Sequence, residues 1–258
     1  MLVFAHPDDE TVALGARLAR YQSSVIVHLT DGAPRDIAQC LEHGFSSPER
    51  YKACRSSELE RALKMAGLEN THHIYLNIPD QQASFNLARL TDELYRLLIL
   101  HTPEVVFTHP YEGGHPDHDA CAFAVHRATG RIRSDGGDPP AIVEAPFYHL
   151  GPHGMETGCF LPHSEILDQI RRLLSRREQK SKQRLLACFA SQQGILSHFP
   201  SEFESFRIAP CYNFHEPPHD GPVLYDAFPW GMNSEQFCEL ARTADAAERE
   251  ALACRLPC

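Results

Sequence analysis

Five residues near the start of the chain, His6-Pro7-Asp8-Asp9-Glu10, crowd an imidazole and three carboxylates into one turn directly after the apolar run Leu2-Val3-Phe4-Ala5. Such a set lets one side chain hold a metal ion while its neighbour stays free as a base, the division of labour a hydrolase needs. Acids at this place also cap a helix and suit its first turn, where backbone N–H groups lack partners, so the pentapeptide alone has two readings. A second knot, His115-Pro116-Asp117-His118, favours the chemical one. His6 and Asp9 stand three apart, as do His115 and His118, so in helical turns each pair shares a face while the residue between points elsewhere. Two segments then suffice for three ligands, and three protein ligands with one open position mark a catalytic zinc rather than a structural one. Neither knot contains a cysteine.

The elements that must position these knots follow from apolar periodicity. Strand-like runs cover 2–5, 25–30, 73–76, 104–109 and 141–150, and helical spacing covers 11–20, 50–66, 87–100 and 120–128. Ser164 is placed to cap a long helix through Ile166, Leu167, Ile170, Leu173 and Leu174. Strands alternating with helices require crossovers, so the expected fold class is α/β: a Rossmann-like three-layer α/β/α domain with a mainly parallel sheet. In such a sheet ligands bind beyond the carboxyl ends of the strands, and both knots, together with Asp31 and Asp80, fall at that edge. We expect a single domain over 1–258, with a core of about 2–195, while 196–258 supplies loops and a helix to the substrate cleft. Residues 33–48, 129–140 and 209–229 break the pattern, and 131–140 is expected to be mobile.

Composition narrows the function classes. The 258 residues are 43% hydrophobic, enough for a real core, and the formal charge of −10 argues against an extended nucleic-acid surface. Nine cysteines, an odd number without any C-x-x-C pair, indicate neither a disulfide framework nor a cysteine zinc knot. No apolar stretch approaches the ~20 residues that span a bilayer. We therefore expect a soluble, cytoplasmic protein, with homo-oligomerisation open. The strand pattern starting at Leu2 also leads us to expect a short leader missing ahead of the numbered chain.

The block Ala5-His6-Pro7-Asp8-Asp9-Glu10 and the later His115-Pro116-Asp117-His118 resemble the hallmarks of the LmbE-like, PIG-L-type zinc deacetylases. Thr30-Asp31-Gly32, Arg55-x-x-Glu58, Pro79-Asp80 and Ser191-Gln192 add supporting matches, and the resemblance covers about 2–195. It implies His6, Asp9 and His118 as metal ligands, Asp8 as general base and His115 as a protonated partner of the reacting carbonyl. The implied cofactor is Zn²⁺, although histidine and carboxylate donors also suit Fe²⁺ and Co²⁺. The implied substrate is a small-molecule amino sugar or its conjugate, which loses an N-acetyl group by hydrolysis.

Other residues carry softer expectations. Asp117 either accepts an imidazole N–H, fixing tautomer and ring direction, or caps the following helix. Glu10 is expected to hydrogen-bond at a helix start rather than to ligate. Asp31, Arg55, Asp80, His109 and Tyr111 are candidates for substrate binding. Where certain relatives carry a tyrosine two positions before the second knot this chain has Gly113, leaving Tyr111 to assist the oxyanion or nothing at all. His215 and His219, with Tyr212, Phe214 and Trp230, are candidates to line the cleft. Two further functions compete: a zinc amidase acting on a larger acyl or peptide-like amide, and a non-catalytic nucleotide- or metal-binding α/β module. The position of a G-x-G-x-x-G turn is taken by the acidic block, which weighs against nucleotide binding.

Overall fold

The apolar run at the start of the chain is too short to do more than cross the core once, and it does so at the centre of a sheet. A computed structural model describes residues 1–163 and 168–253. In chain order the strands and helices are β1 (Leu2–Phe4), α1 (Asp9–Leu14), β2 (Val25–Thr30), α2 (Ile37–Glu42), α3 (Pro48–Met65), β3 (His72–Ile78), α4 (Leu87–His101), β4 (Val105–Thr108) and α5 (Pro116–Ser134). They continue as β5 (Ala141–Glu144), β6 (Tyr148–Gly151), β7 (Gly154–Thr157), β8 (Gln169–Leu173), α6 (Arg176–Leu186), α7 (Gln193–Leu196), β9 (Phe203–Ile208) and α8 (Ser234–Ala253).

Seven strands form one sheet in the order β3-β2-β1-β4-β5-β9-β8, parallel from β3 to β5 and antiparallel at β9 and β8. Strand alternation divides the core. Val3, Val27 and Leu29 pack on one face with α4, α5 and α8, while Leu2, Phe4 and Ile26 pack on the other with α1, α3 and α6. The expected α/β/α layering with a mainly parallel sheet is what the chain adopts. The strand order reverses at β1, with β2 on one side and β4 on the other, so the crevice for a ligand opens past the carboxyl ends of β1 and β4.

Several expectations are corrected. The long helix expected from Ser164 is not there over 169–173, which form the edge strand β8; residues 164–167 lie outside the described part. Ile170 and Leu173 are 67% and 77% exposed, so their helix-like spacing marks no buried face. The next helix starts later, at a reciprocal cap in which Ser175 and Glu178 satisfy each other's backbone N–H groups. The core does not stop near 195, because β9 is the partner that joins β8 to β5. Residues 129–134 continue α5, and α2 lies within the stretch 33–48. Finally, 147–150 does not extend the sheet: β6 pairs with β7 as a separate hairpin.

Candidate metal centre and active-site cleft

The turn after β1 is held by its own acids. Asp8 occupies the N-cap position of α1 without a side-chain cap bond, at φ 144°, a region that costs an L-residue strain and persists only where surroundings enforce it. Its backbone N–H donates to Glu10 Oε2 at 3.2 Å, and the His6 N–H donates to Asp9 Oδ2 at 2.7 Å. Glu10 is fully buried, accepts the Thr11 hydroxyl at 2.6 Å and lies 3.0 Å from His28 Nε2, as expected for a residue that bonds at the helix start.

The second knot opens α5. His115 rather than Asp117 is the cap: its Nδ1 accepts the Asp117 N–H at 3.1 Å, which leaves Nε2 to carry the ring hydrogen. Burial, reinforced by the neighbouring His6, holds its pKa well below the ordinary imidazole value. A neutral ring with its hydrogen on Nε2 differs from the protonated form implied by the resemblance. Asp117 accepts the backbone N–H groups of Gln81 and Ala83 at 2.6 and 2.9 Å, pinning the loop of Asp80 against the site, and also lies beside the His6 ring.

Three donor groups meet where the knots converge. His6 Nδ1 lies 3.2 Å from His118 Nε2, and Asp9 reaches both, at 3.4 Å from His6 Nδ1 and 3.5 Å from His118 Nε2. The other ring nitrogen of His6 has Asp80 Oδ1 at 2.9 Å and Asp117 Oδ2 at 3.3 Å. Those carboxylates fix a hydrogen on Nε2, so that Nδ1 is the atom turned towards Asp9 and His118. Two imidazole nitrogens and a carboxylate converge here closely enough to share one ion, so this donor set fits a divalent metal. A group of His6, Asp80, His115 and Asp117 is also close enough to hold an ion. It fits less well, because the cap of α5 occupies His115 Nδ1 and the loop amides occupy Asp117.

Electrostatics agree with the geometry. Burial opposes charge on His6, yet Asp117, Asp80 and Asp9 outweigh it and raise its pKa well above the usual value: the pocket favours a positive charge. Asp9 stays well below the usual carboxylate range despite burial, because His118 and His109 face it. Asp8 goes the other way. Burial pushes its carboxyl up to about 7 against the pull of Arg55, whose Nη2 donates to Asp8 Oδ2 at 3.1 Å. Arg55 is reached through a glycine: a Cβ at Gly32 would stand 2.8 Å from Arg55 Nε and 2.9 Å from Pro7 Cδ. Arg55 and Glu58 are both buried rather than a surface pair, and Glu58 accepts the backbone N–H and hydroxyl of Ser191.

A cavity of about 290 Å³ opens over His6, Asp8, Asp9, His115 and His118. Arg55 and Asp80 reach its wall, but Asp31, His109 and Tyr111 do not. Asp31 binds Arg35, Lys52 and the Ala33 N–H, shaping the loop after β2. His109 is completely buried and stacks on His118 at 4.0 Å; burial lowers its pKa to about 3. Tyr111 points away, its hydroxyl donating to the Glu216 carbonyl at 2.8 Å amid Phe214 and Phe237. His215 pairs with Asp245, and neither His215 nor His219 lines the cleft.

Sequence reasoning missed the aromatic lining apart from Trp230. Tyr51, Tyr148, Phe199 and Phe228 line the cleft with it, Phe228 and Trp230 stack at 4.4 Å, and Trp230 lies 4.6 Å from the His115 ring. Gln192 donates to the Tyr51 hydroxyl at 2.7 Å on the same wall. Tyr148 stands in a β-rich run with no signal of its own, and only the turn into the separate hairpin brings it to the site. No described helix is long and apolar enough to cross a membrane.

Comparison with known proteins matches this arrangement to a family. A 1D-myo-inositol 2-acetamido-2-deoxy-alpha-D-glucopyranoside deacetylase from Saccharopolyspora erythraea is 30% identical over 168 residues, 56% of this chain and 59% of that relative. The match thus spans less than two thirds of the relative's length. Among solved structures, a deacetylase of teicoplanin biosynthesis in complex with teicoplanin superposes with a TM-score of 0.60 at 14% identity, covering 82% of this chain and 99% of that one. The 4-carboxy-2-hydroxymuconate hydratase GalB of Pseudomonas putida superposes with a TM-score of 0.55 at 16% identity, covering 82% and 97%. A hydratase on the same fold means that fold alone does not name the reaction. Residues 1–129, half of the 258, match the family described as PIG-L: GlcNAc-PI de-N-acetylase, and the chain belongs to that family.

Proposed function

We propose that this protein is a zinc-dependent N-deacetylase that hydrolyses the acetamide of an amino-sugar conjugate to free amine and acetate. One observation carries the reading: His6, Asp9 and His118 converge in a cleft where Asp8 is held beside them but outside the donor set. With zinc held by those three residues, the metal would supply Lewis acidity that lowers the pKa of a water towards about 7.

The remaining work belongs to the chain's own side chains. Asp8 takes the proton of the attacking water, and Arg55 keeps its carboxylate turned and available. His115 donates its Nε2 hydrogen to the carbonyl oxygen as negative charge develops there, its ring direction set by the cap at Nδ1. Asp8 then returns a proton to the leaving nitrogen. Asp80 and Asp117 hold His6, and Asp117 ties that loop to α5. Trp230, Phe228 and Tyr148 offer ring faces against which a sugar stacks.

The seven described cysteines are free, which suits the reducing cytoplasm as the place of action. The test is acetate release from N-acetylglucosamine conjugates by the zinc-loaded protein, run against longer acyl amides. Hydrolysis confined to the longer amides would contradict the deacetylase reading and favour the amidase.

A further inference from the structure

The β6–β7 hairpin carries a group of metal donors separate from His6, Asp9 and His118. Its register sets His149 opposite Glu156, and Cys159 follows shortly after β7. His149, Glu156 and Cys159 offer ligand atoms that all lie within 4.8 Å of one another. His149 Nε2 is 3.8 Å from Glu156 Oε2, and the Cys159 thiol donates to that oxygen across 3.7 Å. The first separation is too long for a hydrogen bond and the second long even for a thiol. Ligands about 2.0–2.3 Å from a tetrahedral ion stand roughly 3.3–3.8 Å from one another, so both separations suit a shared cation.

The surroundings are built for such a site. His149 is 2% exposed, and its Nδ1 has no hydrogen-bond partner. Facing it at 3.8 Å is Glu112 Oε2, likewise buried without a partner. With a cation on Nε2 the ring proton sits on Nδ1, turned towards that carboxylate, the arrangement that orients ligating histidines. Glu112 is itself anchored through Oε1 by the Leu161 N–H at 2.8 Å and by Arg207 at 3.4 Å. The hairpin also leaves room for Glu156 to fold back, since a Cβ on Gly151 would stand 2.3 Å from its carboxyl carbon. A thiol, an imidazole and a carboxylate together select a borderline ion such as Zn²⁺ over Mg²⁺ or Ca²⁺.

We propose that His149 Nε2, Glu156 and Cys159, oriented by Glu112, form a second site for a zinc-type divalent cation that fastens the β6–β7 hairpin. The hairpin is a wall of the cleft: Tyr148 lines it, and a Cβ on Gly114, just before His115, would stand 1.9 Å from the Tyr148 carbonyl oxygen. Filling the site braces that wall.

Titration of the chelator-treated full chain with Co²⁺ tests this independently of the catalytic reading, because a thiolate ligand produces a sulfur-to-cobalt charge-transfer band and the His6–Asp9–His118 set has no sulfur. The wild type is expected to bind two equivalents and to show the band. His118→Ala keeps the band and loses one equivalent; Cys159→Ser loses the band and one equivalent; Glu112→Gln keeps the band with binding weakened about tenfold. One equivalent without the band in the wild type, or a band undiminished in Cys159→Ser, overturns the proposal. Failure of the catalytic centre registers separately, as a His118→Ala variant with unchanged stoichiometry.

Discussion

His6 Nδ1 and His118 Nε2, from segments more than a hundred residues apart, face each other across 3.2 Å with the Asp9 carboxylate beside both. The contact is favourable when the protonated His6 ring donates its Nδ1–H to His118 Nε2, or when a cation takes the place of that hydrogen. Replacing His118 with alanine leaves two donors on a single turn. His118→Ala is expected to bind one metal equivalent fewer than wild type, with acetate release falling to background; metal analysis and an acetate assay on the same preparation check both.

Gly32 tests whether Arg55 must reach Asp8. The glycine sits at φ 63°, and a side chain there meets Arg55 and Pro7 at under 3 Å. Gly32→Ala is expected to cost roughly 1–2 kcal/mol from the left-handed backbone alone. It should also lower kcat with metal content unchanged, because the displaced guanidinium no longer holds the Asp8 carboxylate. A variant with wild-type kcat would remove Arg55 from the account.

The aromatic lid makes a prediction about binding. Trp230 lies against His115, stacks on Phe228 and lines the cleft. Trp230→Ala should raise KM for an amino-sugar conjugate about tenfold, equivalent to ~1.4 kcal/mol, with a smaller effect on kcat. Steady-state kinetics separate the two parameters, and an unchanged KM would mean that the sugar does not stack there.

A pH effect on stability arises behind the site, where His28 links β3 to Glu10. His73 on β3 faces His28 of the neighbouring strand, its Nε2 2.8 Å from His28 Nδ1, with His72 beside it. Burial first, and then the His28 and His72 imidazoles, lower its pKa to about 3. A depressed pKa gives stability that is present above the unfolded value near 6.5 and lost as pH falls towards 3. By pH 5 that loss reaches about 2 kcal/mol as an upper figure. His73→Gln keeps a hydrogen-bonding amide without a titrating ring, so denaturant unfolding should show a shallower decline of stability between pH 7 and 4.

The parallel half of the sheet was legible because its strands are apolar runs and its helices carry one apolar face. The antiparallel edge was not, for reasons that lie in particular residues. In β9 the buried side chains are Glu204, Ser205 and Arg207, so the usual alternation is inverted. Arg207 is neutralised by Glu144 at 2.8 Å, and Glu204 accepts the Ala16 N–H at 2.9 Å while facing Lys182. Strand β8 buries little, so its spacing carried no information about a core. At the site, each knot is contiguous in sequence and could be read directly, whereas the support around it depends on where loops return. Nothing local told that His109 would stack behind His118, that Tyr111 would turn away, or that Tyr148 would come in from a separate hairpin.

The central claim is that Asp8 acts as base while His6, Asp9 and His118 hold the metal, and Asp8→Asn isolates that division. Asparagine preserves the shape of the side chain and can still meet Arg55, but it cannot accept the proton of the attacking water. Measured on one zinc-loaded sample, the account predicts metal content equal to wild type with acetate release reduced at least about a hundredfold. Full hydrolytic activity with zinc bound, or loss of the metal together with the activity, would contradict it.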